Sequence, residues 1–122
     1  MENEIVTSVI SAKETVLAFI KAMNKEDFKA ARVYVHNDMR FQGVLGTRNG
    51  AEEYFKDMEK MRLKYDVKKI FFDEDEVCLF YEIQMAGQTI FSCGWYKVED
   101  GKIDSFRVIF DPRPVLDVSG KK

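Results

Sequence analysis

The sequence predicts a single α+β domain in which three N-terminal helices cover the concave face of a curved antiparallel sheet. The 122-residue chain is long enough for one hydrophobic core and no more. Its first half carries apolar residues at helical spacing, whereas from Tyr65 onward apolar and polar residues alternate with the period of a strand. A run of helices followed by a run of strands is typical of folds that place the helices on one face of a sheet.

The composition excludes several functional classes. Hydrophobic residues make up 46% and charged residues 33% of the chain, which is typical of a folded protein and not of a disordered one. Because the formal net charge is −2 and no basic run is present, the chain is not expected to bind nucleic acid. Its apolar stretches are far shorter than the roughly 20 residues of a membrane-spanning helix, so no membrane partner is expected either.

Cysteine and histidine content bears on localisation and cofactors. Two cysteines, Cys78 and Cys93, do not indicate a disulfide framework, and the acidic segment 1–4 does not resemble a secretory or transit signal. No cluster of histidines and cysteines has the spacing of metal ligands. We therefore expect a cytoplasmic protein with no metal site and no cofactor.

The first two helices are predicted from capping residues and apolar spacing. Ser11 and Glu14 have the spacing of a capping box. The helix that follows has four apolar positions at helical spacing, Val16, Phe19, Ile20 and Met23. A second, shorter helix is predicted to end at residues 36–38 and presents Phe28, Ala31 and Val35. A short strand that contains Met39 and Phe41 follows it.

A third helix and four long strands complete the predicted fold. Residues 49–52 can cap the third helix, whose apolar positions are Tyr54, Phe55, Met58 and Met61. Strands are expected at about residues 65–72, 76–85, 89–98 and 102–110, with hairpin turns between them.

The two long hairpins decide which side chains share a face. If Ala86-Gly87 is a two-residue turn, Tyr81 lies opposite Ser92. At the next hairpin, a two-residue turn at Asp100-Gly101 would place Ser105 and Arg107 on the face of Tyr81. A three-residue loop with Gly101 in the left-handed conformation would place Phe106, Val108 and Phe110 there instead. We expect the second arrangement, because the face that the helices cover should be the apolar one.

The two faces of the sheet then have different expected roles. Small residues at positions 92 and 94 lie among large ones on the inner face, which predicts a pocket beneath the helices. Nine residues are expected to line this ligand-binding pocket: Phe41, Tyr54, Met58, Tyr81, Ser92, Tyr96, Phe106, Val108 and Phe110. The outer face carries an apolar cluster that a second copy of the chain is expected to cover. This predicted dimer interface consists of Phe80, Phe91, Cys93, Trp95 and Ile109.

The order of these elements resembles a known family, and several short segments support the resemblance. They are Phe19–Phe28, Gly46-Thr47-Arg48-Asn49-Gly50, Asp100-Gly101-Lys102-Ile103 and Phe110-Asp111-Pro112. Over about residues 10–117 of the single predicted domain, 1–122, the chain resembles the SnoaL-like branch of the nuclear transport factor 2-like (cystatin-like α+β) superfamily. The resemblance implies a cone-shaped cavity between sheet and helices, and a homodimer through the outer face of the sheet. Its members include isomerases, cyclases, dehydratases, epoxide hydrolases and binding domains, so the fold alone does not define the activity.

Transferring the catalytic positions of this superfamily to the chain yields few candidates. By alignment of elements, the acidic and basic positions of ketosteroid isomerases fall near Phe19, Gly43 and Gly94. The Asp-Arg-Asp set of the epoxide hydrolases falls on Ile83, Tyr81 and Val108. None of these carries the required group. SnoaL-type cyclases use an aspartate on the last strands, and Asp111 is the candidate at that position.

Asp111 and His36 are the remaining candidates for chemistry. Asp111 could act as a base at the pocket mouth with Arg107 holding it ionised, or it could open an Asp-Pro turn. His36 is the only histidine and is expected near the surface at a helix end. Tyr81 points inward, and its hydroxyl needs a partner, which Ser92 or a ligand oxygen could provide.

Three functions remain open. We favour the binding of a small, largely apolar molecule in an aromatic cavity. The first alternative is an isomerase, cyclase or lyase that uses Asp111 or the pocket tyrosines as acid and base. The second is an interaction module whose cavity is filled by its own side chains. We expect binding without fast turnover, because the inner positions are apolar, small or tyrosine, and tyrosine is poorly matched to proton transfer at neutral pH.

Overall fold

The computed structural model describes residues 11–85, 87–114 and 116 and confirms the predicted α+β class; the two ends of the predicted domain lie outside these residues. The helices that lie entirely within the described residues are α1 (Ala12–Asn24), α2 (Phe28–Arg32) and α3 (Ala51–Met61). The strands there are β1 (Val35–Gln42), β2 (Thr47–Asn49), β3 (Lys64–Asp73), β4 (Glu76–Met85), β5 (Gln88–Glu99) and β6 (Lys102–Phe110). None of the described helices is both long and apolar enough to span a bilayer.

The strands form one curved, open sheet in the order β2-β1-β6-β5-β4-β3. Neighbouring strands are antiparallel except β1 and β6, which run parallel. Burial alternates along residues 76–83 of β4, where every second residue is buried against the helices and the residues between them are partly exposed. The hydrophobic core therefore lies between the concave face of the sheet and the helices, as a period of two predicts for a sheet covered on one side.

Helix α1 begins at the predicted capping box and is tied to β3 at its other end. The hydroxyl of Ser11 accepts a hydrogen bond from the backbone N–H of Glu14 at 3.1 Å, and the Glu14 carboxylate accepts one from the Ser11 N–H at 3.3 Å. At the C-terminal end, the Asn24 amide donates to the carbonyl oxygen of Tyr65 at 2.9 Å and accepts from its N–H at 2.7 Å. These two bonds fix the start of β3 and hold Tyr65 beneath the helices.

The prediction that the second helix extends to residues 36–38 is wrong. Helix α2 ends at Arg32, and Val35 already belongs to β1. Val35 is completely buried and pairs with Ile103 of the parallel strand β6, so burial against a distant strand overrides the local helical spacing. His36 consequently lies on a strand, where its Nε2 atom is 2.8 Å from the carbonyl oxygen of Glu99.

Helix α3 begins where it was predicted but is capped differently. Gly50 occupies the N-cap position with a φ of 98°, a conformation that favours glycine, and no side chain caps the helix there. Instead, the Glu53 carboxylate accepts a hydrogen bond from the backbone N–H of Asn49 at 3.1 Å. The buried face of α3 includes Tyr54 and Met58, which lie above the concave face of the sheet.

The predicted register of the β4–β5 hairpin is confirmed. Met85 pairs with Gln88, and Tyr81 accordingly lies opposite Ser92. Ala86, the first residue of the predicted turn, lies outside the described residues.

The prediction of which β6 side chains lie on the inner face is also confirmed. The predicted three-residue loop between β5 and β6 is wrong. Glu99 pairs directly with Lys102, so Asp100 and Gly101 form a two-residue turn. Both turn residues have positive φ, 54° and 76°, which is the type I′ geometry that suits the twist of a hairpin.

The one-residue offset comes instead from a bulge farther along β6. Val98 pairs with Ile103, whereas the preceding residue of β5, Lys97, pairs with Ser105, so Asp104 is an extra residue without a partner on β5. The extra residue reverses the facing of the rest of β6, so that each later side chain lies on the opposite face of the sheet. Its three predicted inward side chains, Phe106, Val108 and Phe110, therefore face the helices.

Candidate functional site

A cavity with a volume of about 110 Å³ lies between the helices and the concave face of the sheet. It is smaller than the roughly 300–1,000 Å³ of pockets for drug-sized ligands and close to the about 150 Å³ that holds one benzene molecule. Eight of the nine predicted lining residues lie on its wall: Phe41, Tyr54, Met58, Tyr81, Ser92, Phe106, Val108 and Phe110. The ninth, Tyr96, is completely buried behind the wall. Whether these residues bind a ligand stays a prediction.

Ten further residues on the wall were not predicted, and they include the mouth of the cavity. They are Gly43, Val44, Leu45, Gly46, Arg48, Met61, Leu63, Tyr65, Ile83 and Met85. Val44, Leu45 and Met61 are 42%, 56% and 40% exposed although they line the cavity, so the cavity opens to solvent beside them. The mouth therefore has an apolar rim.

The inner wall is a set of interlocked aromatic rings. Phe106 packs edge-on against Phe41 and Tyr54, with ring centroids 4.9 and 5.4 Å apart. The Phe41 and Tyr54 rings are themselves 5.4 Å apart. Contacts of this kind add about 0.5–1.5 kcal/mol each to the burial of the rings, so they hold the wall in one shape.

Four tyrosines form two hydrogen-bonded pairs at the polar side of the cavity. The Tyr54 hydroxyl pairs with that of Tyr65, and the Tyr96 hydroxyl pairs with that of Tyr81. The Tyr65 and Tyr81 rings pack edge-on with centroids 5.1 Å apart, which brings the two pairs together. Tyr81 thus has a partner that the sequence analysis did not consider, while the Ser92 hydroxyl donates to the carbonyl oxygen of Ile90 at 3.4 Å.

Burial keeps these tyrosines protonated. It raises the pKa of Tyr65 to about 12, and it raises the pKa values of Tyr54, Tyr81 and Tyr96 well above the ordinary tyrosine value. At neutral pH the four hydroxyls are therefore hydrogen-bonding groups and not bases.

The expectation that Gly94 contributes open space to the pocket is wrong. A Cβ atom at this position would lie 2.9 Å from a ring carbon of Tyr96, and 3.1 and 3.2 Å from the hydroxyl oxygens of Tyr96 and Tyr81. The space above Gly94 is thus already occupied by the Tyr81–Tyr96 pair. Glycine is required here because the two hydroxyls lie against the backbone.

Asp111 lies apart from the cavity wall and is held by Arg113. The Arg113 guanidinium donates to both carboxylate oxygens, with Nη2 2.6 Å from Oδ2, and the Arg113 backbone N–H donates to Oδ1 at 3.0 Å. These hydrogen bonds lower the pKa of Asp111 to about 2, which makes the carboxylate a weak base at neutral pH. Of the two alternatives for Asp111, the one in which Arg107 holds it ionised is wrong, since the Arg107 guanidinium lies 5.8 Å from the centre of the Trp95 ring on the outer face.

Arg48 is the charged residue among the wall residues that the sequence analysis missed. It lies on β2 opposite Phe41, with its guanidinium 5.6 Å from the centre of the Phe41 ring, and it is the only charged side chain among the described residues of the wall. Its Nε atom donates to Asp57 Oδ2 at 2.6 Å, and this bond lowers the pKa of the Asp57 carboxyl. Recognition of the short β1–β2 hairpin would have placed Arg48 beside Phe41 on the inner face.

The predicted interface residues form an exposed aromatic surface on the other side of the sheet. Phe91, Trp95 and Ile109 are 58%, 45% and 68% exposed. The Phe80 and Phe91 rings stack with centroids 6.0 Å apart. Cys93 is a free, partly buried thiol whose pKa is raised by burial. Contact of this surface with a second copy stays a prediction.

A curved sheet that encloses an apolar cavity with helices on its concave face defines the nuclear transport factor 2-like, cystatin-fold class of α+β proteins. The chain belongs to the SnoaL-like domain family, whose sequence pattern matches residues 16–106. No functionally curated protein is significantly similar to it.

Solved structures support the same fold. A nuclear transport factor 2-like protein of unknown function from Cytophaga hutchinsonii is 45% identical, with a TM-score of 0.86 over 88% of this chain and 96% of that one. A putative ketosteroid isomerase from Kribbella flavida is 10% identical, with a TM-score of 0.76 over 82% and 77% of the two chains. An LEH-like epoxide hydrolase from M. tuberculosis is 21% identical, with a TM-score of 0.70 over 91% and 96%. The structures that are 10% and 21% identical to this chain establish a shared fold and nothing about its activity.

Substitution of Gly94 tests the packing of the tyrosine pair. Gly94→Ala should lower the free energy of unfolding by about 1–3 kcal/mol, because the added methyl group overlaps the Tyr96 ring. Urea denaturation measures the change. Gly46→Ala is the control, since a Cβ atom there meets nothing within 4 Å, and it should change stability by about 0.5 kcal/mol or less. Equal effects of the two substitutions would contradict this packing.

The raised tyrosine pKa values predict a loss of stability at alkaline pH. In the unfolded chain tyrosines lose their protons near pH 10, whereas folded Tyr65 holds its proton to about pH 12. The folded state therefore binds more protons in this window, and the free energy of unfolding falls as the pH rises above about 10. Urea denaturation across this range should show a shallower fall for Tyr65→Phe than for the unmodified protein. An identical pH dependence would argue against a buried Tyr65 hydroxyl.

Proposed function

We propose that the protein binds a small, largely apolar molecule in the cavity. The observation that carries this proposal is the chemistry of the wall: its described residues are aromatic, aliphatic or small, apart from the Arg48 guanidinium, and include no carboxylate, histidine or cysteine. An open, preformed apolar cavity with a few polar groups is typical of a small-molecule site. Its volume argues against an interaction module whose interior is filled by its own side chains.

An isomerase, cyclase or lyase is the second candidate. Solved structures of the same fold include a putative ketosteroid isomerase and a putative polyketide cyclase. The hydroxyls of Tyr65 and Tyr81, one from each tyrosine pair, could polarise a bound carbonyl group. General acid–base catalysis near neutral pH favours a group whose pKa is close to 7. The raised tyrosine pKa values and the low pKa of Asp111 both depart from this requirement, so binding remains the better supported function.

Titration with toluene tests the binding proposal. Toluene should cause saturable shifts of backbone amide NMR signals from residues around the cavity, because it matches the cavity in size and polarity. Val108→Phe, which adds a ring to the wall, should weaken this binding at least about tenfold. Ile109→Phe adds the same ring on the outer face and should leave the affinity unchanged. Shifts confined to the outer face, or none that saturate, would refute the proposal.

We further propose that the protein is a homodimer through the outer face of the sheet. The exposed aromatic surface around Phe91 and Trp95 supports this, since monomers rarely leave a contiguous apolar patch of this kind uncovered.

Sedimentation velocity at micromolar concentration tests the dimer. Trp95→Glu should produce monomers or aggregates, because it places a carboxylate in the centre of the aromatic surface. Val33→Glu introduces the same charge at a residue that is 63% exposed elsewhere on the molecule and should leave the assembly unchanged. A monomeric unmodified protein would contradict the proposal.

A further inference from the structure

We propose that the molecule bound in the cavity carries a carboxylate group and that Arg48 binds this group at the cavity mouth. The inference rests on the proposed binding function and adds the chemical class of the ligand. It follows from the position of Arg48, from its unsatisfied hydrogen-bonding capacity and from the charge already beside it.

Arg48 combines a formal charge with partial burial. Its side chain is 25% exposed, its guanidinium lies over the Phe41 ring, and no other charged side chain is found on the described part of the wall. Charge interactions are weakened less by solvent beside apolar walls than on an open surface. A ligand that fills the aromatic cavity therefore meets one positive charge where it emerges.

The Arg48 guanidinium is oriented but not saturated. Its Nε atom donates to Asp57 at 2.6 Å, which fixes the plane of the group, whereas the two terminal nitrogens have no hydrogen-bond partner within the described ranges. An arginine side chain has five N–H donors, so four remain for a ligand. A planar carboxylate can accept two of them in parallel, which is the geometry that arginine recognises best.

Asp57 limits the charge that the ligand can carry. Its ionised carboxylate already compensates part of the Arg48 charge, and the Arg48 hydrogen bond lowers the pKa of Asp57 and keeps it ionised. A second negative charge, as on a dianionic phosphate, would increase the repulsion from Asp57 along with the attraction to Arg48, while the cost of desolvating the group beside the apolar rim would rise further. The apolar rim formed by Val44, Leu45 and Met61 would contact the ligand's hydrocarbon part next to the head group.

Two probes that differ only in the head group test the inference. Isothermal titration calorimetry should show 3-phenylpropionate binding at least about tenfold more tightly than 3-phenylpropan-1-ol, because a charge-assisted pair replaces a neutral contact. Arg48→Met should remove this preference and leave the affinity for the alcohol within about twofold. Arg107→Met is the control, since its guanidinium also lies over an aromatic ring but on the outer face, and it should keep the preference.

Asp57→Asn provides a second test that does not remove Arg48. The amide oxygen can still accept the Nε hydrogen bond, while the competing negative charge disappears, so the acid should bind several-fold more tightly and the alcohol unchanged. Equal affinity of the unmodified protein for acid and alcohol, or weaker acid binding in Asp57→Asn, would overturn the carboxylate assignment and leave the binding proposal standing. Binding of neither probe would overturn the carboxylate assignment, and if toluene also fails to bind, the proposed function falls with it.

Discussion

The bulge at Asp104 determines which side chains of β6 lie on the concave face. Side chains alternate along a strand, so one extra residue moves every later side chain of β6 to the opposite face. Without it, Ser105 and Arg107 would lie beneath the helices, where a buried charge without a partner is strongly unfavourable. With it, Phe106 completes the aromatic wall and Arg107 lies over Trp95 in solvent. Burial of the apolar side chains of β6 thus stabilises the bulge, and the bulge in turn keeps the cavity wall apolar.

The tyrosine hydroxyls on this face pair with one another, so the sheet side of the cavity carries polar groups but no formal charge. The Tyr81 and Tyr96 hydroxyls can pair because Gly94 has no side chain between them, and a buried hydroxyl without a partner would be unfavourable by about 1–3 kcal/mol. The same burial that requires the pairing also raises the tyrosine pKa values. An interior of this kind can bind a ligand by shape and hydrogen bonding, while the single formal charge on its described wall belongs to Arg48, whose side chain is 25% exposed.

The sequence predicted the features of the fold that depend on neighbouring residues. It did not predict conformations and contacts that depend on residues far apart in the chain. Strands β3 to β6 were predicted to within one residue, because turn residues and alternation mark the ends of a strand locally. The length of the β5–β6 turn was wrong, because the offset assigned to it comes from the bulge at Asp104. Val35 continues the helical spacing of Phe28 and Ala31, but its conformation is decided by pairing with Ile103 on a parallel strand far along the chain. Arg48 was missed because a three-residue strand is too short to show alternation. The filling of the space at Gly94 depends on side-chain conformations that no sequence pattern specifies.

Alternation also separates the cavity wall from the outer face of the sheet. Val108 lies on the cavity wall, and its neighbour Ile109 is 68% exposed on the outer face, so either surface can change without the other. The resemblance places the catalytic set of the epoxide hydrolases at Ile83, Tyr81 and Val108, and the structure places all three on the cavity wall. Carboxylates at such positions would supply acid–base chemistry while the outer face stayed the same. This independence is a physical reason why one fold can serve both binding proteins and enzymes.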